Sequence, residues 1–339
     1  MTDQRRGTWY AVAAYGLWGL FPLYFVALNP AGPIEVLSHR IIWSFLLLVG
    51  VLTVLRRWRW LRAALRKPRV LGGLAVAGVL IAANWGTYIY AVAIAHVVEV
   101  SLGYYIGPLV SVLLGVVILG ERLRPWQWVA VGVGASAVAV LTFDYGRLPW
   151  IALVLAFSFG CYGLIKKLVG APAVEGMTVE TAVLLLPASA YLVWSESAGR
   201  AAFGQVSAVN TALLVGCGVI TTVPLLLFAG AANRVPLTVL GTTQYLAPTL
   251  QLLIGVWVFG EPMPPVRLAG FVLVWTALAI FTVDAVRHGR SQRVVVEPDV
   301  NPNLPTSPTA ASTITSSAPN QHRPVPRSTA SASWLCASS

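Results

Sequence analysis

Apolar runs of roughly twenty residues recur along the whole chain, separated by short polar or basic stretches. A helix needs about 17–25 apolar residues to cross the ~30 Å hydrocarbon core of a bilayer, so each run predicts a membrane span. Ten spans are predicted, at 9–28, 34–55, 70–91, 98–119, 126–143, 149–168, 178–195, 211–230, 238–259 and 266–284. Pro187 and Pro224 interrupt the seventh and eighth. No small-residue cleavage site follows the first span, and its apolar stretch is long, so it is expected to stay as a helix rather than be removed as a signal. The expected class is an all-α integral membrane protein with ten transmembrane helices.

Two of these runs are alike. "YYIGPLVSVLLGVVILGE" and "QYLAPTLQLLIGVWVFGE" share Tyr105/Tyr245, Pro108/Pro248, Gly115/Gly255, Gly120/Gly260 and Glu121/Glu261 at one constant offset (245 − 105 = 140). The same offset continues through Pro125/Pro265, Thr142/Thr282 and Asp144/Asp284. Chance similarity between two leucine-rich helices would not keep prolines and acids in register, so the chain reads as an internal duplication. Five spans per copy is an odd number, and the second copy must therefore lie upside down relative to the first. Two inverted-topology five-helix repeats are expected, at 9–144 and 149–287, with an N-terminus at 1–8 and a tail at 291–339. Inverted repeats are an architecture of secondary transporters, which bind substrate near the midplane at the repeat interface.

Composition fits this picture. Hydrophobic residues make up 57% of the chain and charged residues only 10%, with mean hydropathy +0.75. A soluble protein carries roughly a quarter charged residues. The net charge of +11 would suit a nucleic-acid partner, but its distribution argues against one. With the N-terminus inside, the cytoplasmic side holds Arg5, Arg6, the cluster from Arg56 to Arg69, Arg122, Arg124, Lys166, Lys167, Arg234, Arg287, Arg290 and Arg293. The other side holds only Arg147, Arg200 and Arg267. By the positive-inside rule both termini are cytoplasmic, and the lipid bilayer, partly through anionic headgroups, is the partner of the basic charge. Cys161, Cys217 and Cys336 lack metal or redox spacing and read as packing residues. From Ser291 the chain turns rich in Pro, Ser, Thr and Ala, a composition expected to stay disordered.

Candidate chemistry lies on polar and aromatic residues inside the spans. Ser101, Tyr105, Pro108, Ser111 and Gly115 fall three and four apart and share one face of the fourth span. Gly241, Tyr245, Pro248, Gln251 and Gly255 do the same on the ninth. Each proline removes a backbone hydrogen bond to the carbonyl four residues earlier, at Tyr104 and Gln244. Such carbonyls persist where protein or a water-filled cavity satisfies them. Two readings stand: a pair of kinked helices lines a central cavity, or proline and small residues permit close helix packing.

The second span, in "EVLSHRIIWS", places Glu35 and His39 four apart, with Arg40 adjacent and Trp43 one turn beyond His39. An arginine at a helix centre costs about 2.5–3.5 kcal/mol on insertion scales. Arg40 either holds an anionic group, with His39 as a proton-responsive site or hydrogen-bond donor, or is an interfacial arginine paired with Glu35 or lipid phosphate. Asn84, Trp85, Tyr104, Tyr162 and Gln244 suit a cavity wall. Trp18, Pro22 and Tyr24 suggest a bendable first helix, although an aromatic belt explains part of that pattern. Lys166 and Lys167 are expected as snorkelling anchors. Glu99 is expected to favour its helix N-terminus or to carry a proton, and Glu121 and Glu261 to cap loops. The candidate substrate path is thus Trp18, Tyr24, His39, Arg40, Trp43, Asn84, Trp85, Tyr104, Tyr105, Pro108, Ser111, Tyr162, Gln244, Tyr245, Pro248 and Gln251.

No Walker loop, paired-histidine metal motif, GxSxG or acidic pyrophosphate cluster is found, so no enzyme, cofactor or metal is expected. Without an ATP-binding domain, transport would be gradient-driven or passive. Protons are the candidate coupling ion, although the spans show no clear mid-membrane carboxylate.

Taken together, "WGLFPLY" at 18–24, "HRIIWS" at 39–44, "NW" at 84–85 and "SLGYYIGPLVSVLLG" at 101–115 resemble the RarD family of the EamA branch of the drug/metabolite transporter superfamily. "GER" at 120–122, "LAFSFGCYGLIKK" at 155–167, "TTVPLL" at 221–226, "LGTTQYLAPT" at 240–249 and "ALAIFTVDA" at 277–285 extend the resemblance over about residues 7–287. It implies a ten-helix bacterial inner-membrane permease of two EamA-type repeats. The family name reflects an association with chloramphenicol sensitivity, and the family has no agreed catalytic set. The expected function is a secondary transporter of a small metabolite or drug-like molecule, working by alternating access through a cavity between the repeats. The alternative is a non-transporting scaffold or regulator of envelope permeability acting through the C-terminal tail.

Overall fold

A computed structural model describes residues 3–120 and 122–294, all of them helix or connection with no strand. The elements are α1 (Asp3–Gly19), α2 (Phe21–Val26), α3 (Pro33–Val54), α4 (Trp58–Leu65), α5 (Pro68–Ala93), α6 (Val97–Leu119) and α7 (Pro125–Tyr145). They continue with α8 (Trp150–Val169), α9 (Ala173–Ser197), α10 (Ala208–Ala232), α11 (Leu237–Thr243), α12 (Leu246–Leu253), a π-turn (Ile254–Val258) and α13 (Pro265–Val294). The expected tail beyond residue 294, Cys336 and Glu121 lie outside the described residues; 291–294 continue α13 instead of beginning a tail.

Among the described residues nine helices are long and apolar enough to cross a membrane. They match nine of the expected spans; the stretch 238–259 is instead built from α11, α12 and the π-turn. The interruption falls at Gln244–Tyr245, where Pro248 cannot donate to the Gln244 carbonyl. The two proline-bearing stretches are built differently, because α6 carries Pro108 without interruption. It lies against α8 so closely that a Cβ on Gly103 would sit 2.8 Å from the Ala152 carbonyl, and that contact holds it in place. Pro187 and Pro224 likewise lie inside continuous helices. In apolar surroundings, leaving the helix would strand further backbone groups. Pro22 falls in the first turn of α2, where its missing N–H is not needed, and the chain bends before it at Leu20.

Close crossings are made by glycine. A Cβ on Gly78 of α5 would meet the Glu180 backbone of α9 at 3.0 Å, and one on Gly218 of α10 the Trp43 backbone of α3 at 2.6 Å. Helix α7 runs antiparallel to α13: Arg124, just before α7, pairs with Asp284 at 3.1 Å, while Arg267, in the first turn of α13, pairs with Asp144 at 2.8 Å. The α12 segment is similarly opposed to α6. Glu261 accepts from the Val97 and Val98 amides at 2.5 and 2.9 Å, and the Ser101 hydroxyl donates to the Pro248 carbonyl at 2.7 Å. Leu102, Leu109, Leu141 and Phe271 form a core where α6, α7 and α13 meet. Val54, Phe143, Leu186 and Trp257 are exposed on the outside, an apolar surface suited to lipid. The short α4, unforeseen in the sequence, turns Arg59 and Arg62 outward and buries Ala64 toward α5.

Candidate functional site

A cavity of about 180 Å³ lies inside the bundle, walled by residues of both chain halves. Its first-half walls come from α1, α2, α3, α5 and α6; α8, α9, α10 and the 244–251 stretch supply the rest. Helices α7 and α13 brace one another outside it.

Among the described residues Arg40 is the only charged one in this wall. It is 4% exposed, and its Nε donates to Thr221 Oγ1 at 2.9 Å. Its guanidinium carbon lies 4.0 Å from the Trp85 ring centre, with Phe21 and Phe25 at 5.4 and 5.6 Å. Beside it, Asn84 donates to the Leu155 carbonyl and to Ser158 Oγ, both at 3.0 Å, and accepts from the Tyr104 hydroxyl at 3.2 Å. Gln251 donates to the Trp18 carbonyl at 3.2 Å, while its own oxygen is buried with no partner among the described residues. Trp18, Trp85, Tyr104, Pro108, Ser111, Gln244, Tyr245 and Pro248 complete the sequence-expected wall. Tyr162 shows its ring to the cavity and donates its hydroxyl outward to Glu180 at 3.1 Å.

Four expected residues lie elsewhere. The Tyr24 hydroxyl donates to the Leu213 carbonyl of α10. His39 and Trp43 face a separate, peripheral pocket with Glu35 and Phe203; Trp43 Nε1 donates to His39 Nδ1 at 3.2 Å, and His39 stacks on Phe203 at 4.7 Å. Tyr105 hydrogen-bonds Thr249 at 2.6 Å and packs on Phe271 and Trp275 behind the wall. His39 and Arg40, neighbours on α3, point about 100° apart; Arg40 faces the cavity and His39 the peripheral pocket.

The carboxylates have partners different from those expected. Glu35 accepts from the Ala202 and Phe203 amides at 2.8 and 3.0 Å and makes no ion pair with Arg40. Glu99 accepts from the Ile151 amide at 3.1 Å and pairs with Arg147 at 2.9 Å, serving the N-terminus of α8 rather than its own helix. Lys166 is no snorkelling anchor: it is buried, and its Nζ lies 2.7 Å from Glu180. Sequence reasoning also missed Phe21, Tyr88, Phe159 and Thr221 in the wall. Phe21, Phe159 and Thr221 sit inside motifs already noted, whereas Tyr88 had no distinguishing signal. Glu180, an acid inside an apolar span, was a visible signal.

An apolar-surfaced bundle of membrane-length helices around a largely aromatic and apolar cavity with a few polar groups describes a multi-pass membrane transporter. Comparison with known proteins agrees: residues 5–143 match the model of the EamA-like transporter family. "Protein RarD" of Streptomyces exfoliatus is 51% identical over 87% of this chain and 94% of its own length. "Uncharacterized transporter YojE" of Bacillus subtilis (strain 168) is 43% identical over 86% of this chain and 98% of its own. A crystal structure 18% identical in sequence superposes with a TM-score of 0.53 over 82% of this chain and 97% of that one, a likeness of fold alone. The chain belongs to the RarD family of EamA-like transporters.

Proposed function

We propose that the protein is a ten-span secondary transporter of two inverted five-helix repeats, moving a small solute by alternating access through the central cavity. The observation that carries this reading is the antiparallel pairing of α7 with α13, which occupy equivalent places in the two copies, by reciprocal ion pairs at either end. Helix contacts support the same exchange: α5 packs on α8 and α9 as α10 packs on α1 and α3. Gly78 and Gly218, and Glu35 and Glu175, also stand 140 apart (218 − 78 = 140; 175 − 35 = 140), on helices that correspond. The remaining span, ninth in chain order, is then the interrupted α11–α12–π stretch. The charge asymmetry supports cytoplasmic termini in a bacterial inner membrane, and protons remain the candidate coupling ion.

Alternating access is tested by placing a cysteine at Ser111 in a background lacking the native cysteines. A membrane-impermeant thiol reagent is expected to reach it from either side in a solute-dependent ratio. Access from one side only, unchanged by every solute that alters the wild-type phenotype, would defeat the mechanism. Deleting residues 295–339 is expected to leave that phenotype intact; its loss would favour a scaffold working through the tail.

A further inference from the structure

The cavity's charge is unbalanced. Arg40 is nine-tenths buried or more; among the described residues no carboxylate lies within 4 Å of it, and of its guanidinium nitrogens only Nε has a hydrogen-bond partner. Its counterpart by the 140-residue offset is Glu180 of α9 (180 − 40 = 140). That acid pairs with Lys166 and accepts from the Tyr162 hydroxyl, so it is no counter-ion for Arg40. A buried unpaired charge is costly, and the faces of Trp85, Phe21 and Phe25 offset only part of that cost. Tyr88, in the same wall, also has a buried hydroxyl with no partner among the described residues.

We propose that this cavity, on the reading that it is the transport site, takes a small organic monoanion with a planar apolar body. The Arg40 fork offers two parallel N–H donors to a carboxylate. With no second cation in the wall, a dianion would leave excess negative charge, and a cation would meet Arg40 unscreened. Trp18, Trp85 and Phe159 present ring surfaces for the apolar body. At about 180 Å³ the space is below the ~300–1,000 Å³ of drug-sized pockets, which favours a solute of one or two rings.

The test uses the purified full chain in detergent and matched probes: phenylacetate and indole-3-acetate against their uncharged amides. The acids are expected to raise Tm in a saturable way and the amides not. Arg40→Met should weaken acid binding by roughly ten- to a hundredfold, the range of a lost charged hydrogen bond, and Arg40→Lys by less. Should Arg40→Met fail to fold, the wild-type acid–amide comparison decides alone. Equal stabilisation by acid and amide, or none by either acid, overturns the proposal, as does unchanged acid binding in a folded Arg40→Met. Flux of labelled phenylacetate into proteoliposomes is measured alongside. Acid binding without flux would sink the transport reading and leave the anion site standing; flux of an uncharged solute without acid binding would do the reverse.

Discussion

Lys166 and Glu180 show why single residues mislead when read alone. A lysine ending an apolar span looks like a snorkelling anchor, yet here it is 8% exposed and its partner on the next helix is 0% exposed. Removing one member of a buried pair strands the other at a cost of about 3–5 kcal/mol, whereas replacing both by apolar groups is often near neutral. Lys166→Met is therefore expected to lower Tm steeply, and Lys166→Met with Glu180→Leu to recover most of the loss. Thermal unfolding of both variants is the measurement; a Lys166→Met protein as stable as wild type would refute the pair's structural role. The residue types in the cavity were legible from the sequence, including Arg40, Asn84 and Gln251. Their partners were not, because Thr221 and Leu155 become neighbours only when distant helices cross.

At the scale of elements, the two prolines part ways. Pro248→Ala restores an N–H able to reach the Gln244 carbonyl, so α11 and α12 are expected to join and solute flux in proteoliposomes to fall, with membrane insertion unchanged. Pro108→Ala should do less, since α6 is already continuous. Undiminished flux in Pro248→Ala would leave the interruption as packing only. The segment's other end is seated by Glu261, whose carboxyl burial pushes above the ordinary carboxylate range despite the two α6 amides that favour its charge. The folded state thus holds its proton more tightly than the unfolded chain. Stability conferred by this group rises as pH falls through the raised value and levels off below the ordinary value of about 4.3. Glu261→Gln is expected to cost about 1–3 kcal/mol, because its amide nitrogen cannot accept an N–H, and to flatten that acidic rise. Tm against pH for the two proteins checks both effects.

For the whole molecule, the α7–α13 brace is the contact that, on the proposed two-repeat reading, ties the ends of the copies together. Arg267 and Asp144 are mostly buried and Arg267 also lies 4.3 Å from the Tyr145 ring centre. Asp144→Arg alone sets two cations together and is expected to lower Tm and folded yield; adding Arg267→Asp should restore much of both. No recovery in the double variant would mean that the brace does not depend on this pairing.

The all-helical, multi-pass class and nine of the ten expected spans were readable from the chain, because length and periodicity are local properties that a bilayer constrains strongly. The pairs Glu35/Glu175 and Gly78/Gly218 were also there to be read at the 140-residue offset, but the proposed correspondence of their helices draws on contacts between distant helices. Tertiary structure alone decided that Arg40 faces inward while His39 faces a peripheral pocket, that Lys166 is claimed by Glu180, and that the chain breaks at Gln244 but not near Pro108. Each of these depends on which helix faces meet across the bundle, and no local pattern in the sequence specifies that.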